Sequence, residues 1–342
     1  MSEDTASKKP SQGYVKSESY RRGRPVPDID SMRRWLVSGA ILSADGAVFS
    51  WSNAKHPGYP YPEAGGFFLS TFCTERAIDG PSASAADRVA GWLCNLIAPD
   101  GGVGRSGTAY LFDSAVVLAG LLRYRACGGR VRADGPIHRL RDFVRKQIAA
   151  GEAVLPWSAA ADGRWSTQFG AHLVKCLHTL QLYARAFGEE VEQETVETLI
   201  NRSGLQPSPV YVHPFCYEQE GHLVIAHGGL SNLFEPIDGA LDWLAALQQP
   251  DGALLAFANG MDGFGEPRSD ATAQAVRLWL LRDRERYGEA IARALAFLAA
   301  CQAPEGGLRH SPGSDDICSW STMFTLQAVA WFRHEPRLDE LV

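Results

Sequence analysis

The chain has 342 residues, 45% hydrophobic and 21% charged, with a formal net charge of −6. That is enough apolar material for one large core or two smaller ones. The acidic balance argues against nonspecific binding to nucleic acid or anionic membrane, and no apolar run approaches the ~18 residues that would insert into a bilayer.

The first 28 residues, "MSEDTASKKPSQGYVKSESYRRGRPVPD", are polar and lack the apolar stretch of a signal peptide. They predict a mobile tail ahead of a single domain over residues 29–342. Seven cysteines are scattered without a CxxC pair or metal-ligand spacing. That usage predicts reduced thiols, a cytoplasmic protein, and no nameable metal set.

From residue 31 onward the chain repeats. Helix-like segments "SMRRWLVSGAIL", "AADRVAGWLCNLI", "GALDWLAALQ" and "AIARALAFLAACQ" each run into an acid-glycine turn, at Asp45-Gly46, Asp100-Gly101, Asp251-Gly252 and Glu305-Gly306. A fifth turn, Asp162-Gly163, follows the less regular "FVRKQIAAGEAVLPWS". Aspartate caps its own backbone and glycine accepts positive φ, so these are strong turn signals. After each turn comes a second, more apolar segment: "YPEAGGFFLSTF", "YLFDSAVVLAGLLRY", "TQFGAHLVKCLHTLQLYA", "RSDATAQAVRLWLL" and "CSWSTMFTLQAVAWF". A sixth member, "HPFCYEQEGHLVIA", fills the wide gap between the third and fourth turns.

Second segments that are apolar on all sides read as buried helices, and the amphipathic first segments as an outer layer. Six such hairpins predict an all-α fold, an (α/α)6 toroid. The alternative is an open α-solenoid, which needs polar capping repeats that the sequence lacks.

In a toroid the inner helices run parallel and share one mouth. Their starts bring Tyr61 and Glu63, Asp113, Gln168, His213 with Tyr217 and Glu220, Arg268 and Asp270, and Asp315, Asp316 and Trp320 to it. His213, Tyr217 and Glu220 stand at i, i+4 and i+7, one helix face. The expectation is a polar cleft with these residues along its wall.

Five of the segments are similar to motifs of bacterial polysaccharide-biosynthesis proteins that resemble the C-terminal α/α domain of D-glucuronyl C5-epimerase. "YPEAGGFFLSTF" resembles their Tyr-Pro-Glu-x-Thr-Gly-Tyr, "YLFDSAVVLAGLL" their Phe-Asp-Thr-Gly-x-Val, and "HPFCYEQEGHL" their His-x-(x)-x-Tyr-x-x-Glu-Gly. The likeness spans about residues 33 to 332. Gly65-Gly66-Phe67 replaces Thr-Gly-Tyr, and Ser114-Ala115 replaces Thr-Gly. The resemblance implies a carbohydrate ligand, acidic in character; no cofactor is expected.

Epimerisation or β-elimination of a uronic acid needs a clamp for the carboxylate, a base and an acid. Arg268 is the candidate clamp, with an ion pair to Asp270 or Asp113 as its structural alternative. Tyr217 and His213 are the leading proton-transfer candidates, Tyr61 the candidate for the opposite face, and Glu220 and Asp113 further titratable groups. Glu63, Asp270, Gln168 and Asp316 are candidate binding residues. Trp320 and Trp51 are candidate sugar-stacking surfaces; Trp165 fits core packing better.

Three other readings stay open. A glycoside hydrolase needs two opposed carboxylates, for which Glu63, Asp113, Glu220 and Asp270 are available. A terpenoid cyclase shares the toroid, but its Asp-x-Asp-Asp motif is absent. A non-catalytic glycan-binding or scaffold subunit would suit the altered first motif. Walker, GxGxxG, GxSxG and HExxH patterns are all missing.

Overall fold

The computed structural model describes residues 23–74, 80–155, 165–202, 208–229 and 231–341. Twelve α-helices occur among the described residues, and 59% of those residues are helical. The inner set is α2 (Pro62–Phe72), α4 (Leu111–Ala126), α6 (Cys176–Phe187), α8 (Val212–His227), α10 (Ser269–Arg282) and α12 (Ser319–Arg333). The outer set is α1 (Ile29–Leu36), α3 (Gly80–Leu96), α5 (Asp134–Ala150), α7 (Gln193–Arg202), α9 (Phe234–Leu247) and α11 (Gly288–Cys301). All of α2 and nearly all of α4 is buried, whereas α5 buries one stripe. This is the division that the hydrophobic patterning predicts.

Each inner helix packs on the next, and α12 returns to α2. The ring is closed, so the fold is the all-α toroid and not the open solenoid. The acid-glycine turns do part of the joining. Gly46, Gly101, Gly252 and Gly306 all have φ between +90° and +109°. A Cβ on each would lie 2.1 to 2.4 Å from a backbone carbonyl oxygen: Arg88 on α3, Arg139 on α5, Arg293 on α11 and Ser31 on α1. Each turn thus docks on the outer helix of the following hairpin, and the last docks on the first. The fifth turn lies outside the described residues. Gly252→Ala is expected to cost about 2–3 kcal/mol, since it meets both the positive φ and the close carbonyl. Urea denaturation checks this; a loss below 1 kcal/mol would mean that the turn relaxes freely.

The altered first motif also has a packing reason. A Cβ on Gly65 would come within 2.8 Å of Trp92 on α3, and one on Gly66 within 2.6 Å of the Val116 carbonyl oxygen on α4. Trp92 therefore occupies the space that a hydroxyl-bearing residue at position 65 would use.

Among the described residues nine short strands form three antiparallel three-stranded sheets, which the helical patterning does not predict. Strand β1 (Trp51–Ser52) pairs β9 (Ile317–Cys318), which pairs β8 (Leu308–Arg309); β2 (Gly104–Arg105) pairs β3 (Thr108–Tyr110), which pairs β4 (Val154–Leu155). In the third sheet β5 (Val210–Tyr211) pairs β6 (Leu254–Asn259), which pairs β7 (Asp262–Arg268). Strands β3, β5, β7 and β9 run directly into α4, α8, α10 and α12. The sheets therefore ring the mouth at the N-terminal ends of the inner helices.

The opposite end is plugged by the C-terminal segment. Arg123 donates to the carbonyls of Asp339, Glu340 and Leu341 at 2.9, 3.2 and 2.8 Å, and Gln327 donates to that of Glu340 at 2.6 Å. Most of the predicted N-terminal tail, residues 1–22, lies outside the described residues. Its last residue is part of the fold. Asp28 caps α1 through Asp30 and Ser31 backbone N–H groups, and its own backbone exchanges two hydrogen bonds with Gln302. No helix among the described residues is long and apolar enough to cross a membrane.

Candidate active site

Tyr61, Tyr110, Tyr211, Arg268 and Cys318 each hold the N-cap position of an inner helix in extended conformation, with no side-chain cap. Two residues on stand Glu63, Phe112, His213, Asp270 and Trp320. One helix register thus supplies polar or aromatic side chains to the mouth, and on α4 the polar group, Asp113, stands one residue further on.

On the α2–α4 side, Glu63 and Asp113 are both buried. The Tyr61 hydroxyl donates to Glu63. Burial pushes Glu63 up to about 7, although Tyr61, Lys175 and Arg105 pull the other way. Burial, then the neighbouring Glu63, raises Asp113 well above 3.8. Two carboxyls in one dry place hold a proton at neutral pH because the doubly charged state is too costly. Above them, Arg105 lies 4.8, 5.5 and 5.8 Å from the rings of Tyr59, Tyr61 and Tyr110.

On the α6–α8 side, His172 lies in a 3-10 turn (Ala171–Lys175) leading into α6, and His213 in the first turn of α8. The Trp165 ring meets both edge-on, at 5.0 and 5.6 Å. Burial lowers His172 to about 3 and His213 to about 4, so both are neutral at pH 7. His213 Nδ1 is 2.6 Å from the Gln274 side-chain oxygen. With that oxygen as acceptor the proton sits on Nδ1, leaving Nε2 as a base. Tyr217 is fully buried, and its phenol is held well above 10 by burial and then by Glu63 and Glu220.

On the α10–α12 side, Arg268 forks onto Asp270 at 3.0 and 2.6 Å and donates to the Tyr211 hydroxyl at 2.9 Å. Asp270 also accepts from Ala271 N–H at 2.7 Å and from Trp320 Nε1 at 3.2 Å. His213 and His310 lie 3.7 and 3.6 Å from its Oδ2. Burial pushes this carboxyl up, but Arg268 and the histidines outweigh it and hold it well below 3.8.

The predicted residues do not all reach one level. Glu220 is fully buried below Tyr217, paired with Arg277 at 2.6 Å and Lys175 at 2.7 Å. Lys175 itself lies 4.5 Å from the Tyr217 ring. The i, i+4, i+7 face therefore runs down the barrel axis, and Glu220 is in the floor. Trp51 and Asp316 stand on the rim: Trp51 donates to the His56 carbonyl at 2.8 Å, and Asp316 accepts from Asn53 at 2.7 Å. Gln168 is exposed beside the Trp165 turn. Arg105, His172, Lys175, Tyr211, Arg277 and His310 were not among the sequence candidates. Only Tyr211 had a readable signal, since it repeats the tyrosine that precedes α2 and α4. Among the described residues, no group of three or more His, Cys, Asp or Glu is placed to hold a metal ion.

These buried groups set an expected pH profile for stability. The unfolded chain protonates histidine near 6.5, before folded His172, His213 or His178, the last held well below 6.5 by burial and Arg123. Their contribution is complete above pH 6.5 and is lost as pH falls. Glu63 and Asp113 act in reverse: their contribution is complete below their unfolded values near 4.5 and 3.8 and is lost as pH rises toward 7. The two sets oppose each other between pH 4.5 and 6.5. Below 4.5 Glu63 no longer opposes the histidines, and below 3.8 neither does Asp113; each histidine still neutral contributes up to about 1.4 kcal/mol per pH unit. Urea melts should therefore steepen below pH 4.5. An equally steep slope between 5.5 and 6.5 would show that the carboxyl pair holds no proton.

No protein-family model matches the chain, and no curated protein matches it. Solved structures do. A D-mannose isomerase aligns with TM-score 0.68 at 11% identity, covering 94% of this chain and 100% of its own. An unsaturated glucuronyl hydrolase specific for heparin gives 0.64 at 14%, covering 88% and 95%. A polysaccharide lyase gives 0.56 at 12%, covering 82% and 92%. At such identities the likeness is one of fold.

Proposed function

We propose that this chain is a carbohydrate-active enzyme that removes and returns a proton at a carbon of an acidic sugar unit. The observation that carries the reading is the pairing of a neutral histidine, His213, with the proton-holding Glu63–Asp113 pair across the barrel. In a ring of six, helices three places apart stand across the axis, which sets α8 opposite α2. Base and acid on opposite faces of a sugar ring are what epimerisation requires, and the same pair serves β-elimination. Solved toroids of this fold include an isomerase, a lyase and a hydrolase of sugars.

Within this reading Asp270 and Gln274 are positioning residues that orient His213. A histidine held near 4 is a weak base; the ionised Asp270 stabilises the imidazolium as the proton arrives. Arg268 is already forked onto Asp270, so the substrate carboxylate falls to Arg105, which forms no ion pair among the described residues. Tyr217, its phenol held protonated, is not the base.

Hydrolysis is the second reading. Asp113 on α4 stands opposite Asp270 on α10, one proton-holding and one ionised. Against it, the Arg268 fork, Ala271 N–H and Trp320 fill both Asp270 oxygens, leaving little to activate a water. The charged mouth argues against a carbocation and hence against the cyclase. The test is incubation in heavy water with glucuronate-, galacturonate- and mannuronate-containing glycans. Deuterium at the sugar carbon supports the proposal, and the product distinguishes epimer from unsaturated sugar. Reducing ends without deuterium would replace it with hydrolysis, and binding with neither would replace it with a glycan-binding role. Arg105→Gln is expected to raise KM for acidic sugars about 10–100-fold with kcat little changed, the worth of one hydrogen bond to a charged group. An unchanged KM would remove Arg105 from the site.

A further inference from the structure

Two buried polar atoms beside the proposed base have no hydrogen-bond partner among the described residues: His172 Nε2 and the Tyr217 hydroxyl. His172 is 5% exposed and Tyr217 0%. Both rings pack against the same two aromatic neighbours. Phe112 lies 5.8 Å from His172 and 4.7 Å from Tyr217, and Trp165 lies 5.0 and 5.9 Å from them. Buried polar groups are almost always paired, and an unpaired one is destabilising. Two together next to His213, whose ring is 4.7 Å from that of Tyr217, mark a place that a ligand completes.

We infer that His172 and Tyr217 together hold one hydroxyl group of the sugar, and so select the substrate by the presence of that hydroxyl. The chemistry is complementary. With its proton on Nδ1, neutral His172 accepts through Nε2, and the protonated Tyr217 phenol donates. A sugar hydroxyl does both at once, donating to the imidazole and accepting from the phenol. A carboxylate, which only accepts, would be refused by the imidazole lone pair. Trp165, half-exposed, packs on both groups and also meets His213. A sugar ring that reaches the pair slides along or displaces this indole, and its hydroxyl-bearing carbon then lies beside the base. This rests on the proposed sugar substrate and adds the group that orients it.

The test uses Tyr217→Phe, which removes only the hydroxyl. In the ligand-free protein it removes an unpaired buried group, so the melting temperature should rise by about 2–6 °C. Binding of the uronic-acid glycans should weaken about 10–100-fold. A purely structural phenol would not give that opposition of higher stability and lower affinity. His172→Phe should weaken binding similarly, and the double variant should be little weaker than either single one, because one shared hydroxyl is lost only once. If Tyr217→Phe lowers the melting temperature, an internal partner such as a trapped water holds the phenol and the inference is wrong. Unchanged affinity, or additive losses in the double variant, would equally overturn it. Wild-type protein that binds none of the glycans would overturn the sugar reading itself. Wild-type binding with an unaffected Tyr217→Phe would overturn only the hydroxyl subsite.

Discussion

His213→Gln is expected to lower proton exchange at the sugar carbon by about 10^2 to 10^4-fold, the usual contribution of a positioned acid–base group. Glutamine keeps a polar side chain near Gln274 but has no basic nitrogen. Fold and affinity should hold, because the Arg268–Asp270 fork does not depend on the imidazole. The pH profile gives an independent reading. His213 must be neutral, which places an acid limb near pH 4, and the Glu63–Asp113 pair must hold its proton, which places an alkaline limb near pH 7. These limbs belong to the coupled groups and shift with bound substrate. In His213→Gln the acid limb should disappear while the alkaline one remains. Full activity in this variant would end the assignment, and retention of the acid limb in residual activity would move the base to His172.

Glu220→Gln is expected to destabilise the protein by about 3–5 kcal/mol, the cost of leaving a buried charge without its partner. Glu220 and Arg277 are fully buried and Lys175 nearly so, and the carboxylate stands between the two cations. Its removal leaves two positive charges facing each other in the barrel core. Burial already lowers Lys175 to about 8, with Glu220 opposing that shift. Loss of Glu220 should let the amine discharge nearer neutrality, which relieves part of the cost. Urea denaturation measures the loss. The combination Glu220→Leu, Arg277→Met and Lys175→Met should recover most of it, since an apolar set of similar volume can replace a buried ion cluster. The sequence alone suggested a catalytic Glu220. Loss of activity with stability unchanged would restore that role and refute the floor assignment.

The toroid was legible in the sequence because its determinants are local and repeated. An acid-glycine pair can be read as a turn from two residues, and an all-round apolar segment as a buried helix from its composition. The strands were missed for the opposite reason. Two-residue strands such as Trp51–Ser52 are defined by partners far along the chain, here Cys318 and Ile317. The β6–β7 hairpin turns at Gly260-Met261, where Gly260 has φ +59°, and only that glycine marked it in the sequence. In the site, sequence placed Tyr61, Glu63, Asp113, His213, Arg268 and Asp270 at helix starts facing one mouth, because register within a helix is local. It could not decide their roles. A carboxyl's charge depends on which groups the fold sets against it: Asp270 is ionised because Arg268 forks onto it with His213 and His310 alongside, and Asp113 holds a proton because burial and Glu63 on the neighbouring helix disfavour its charge. Depth was equally beyond the sequence. Glu220 lies on the same helix face as His213, yet two turns lower the barrel is closed by Arg277 and Lys175 from other helices, and electrostatic fate there is set by neighbours that only the tertiary fold brings within 3 Å.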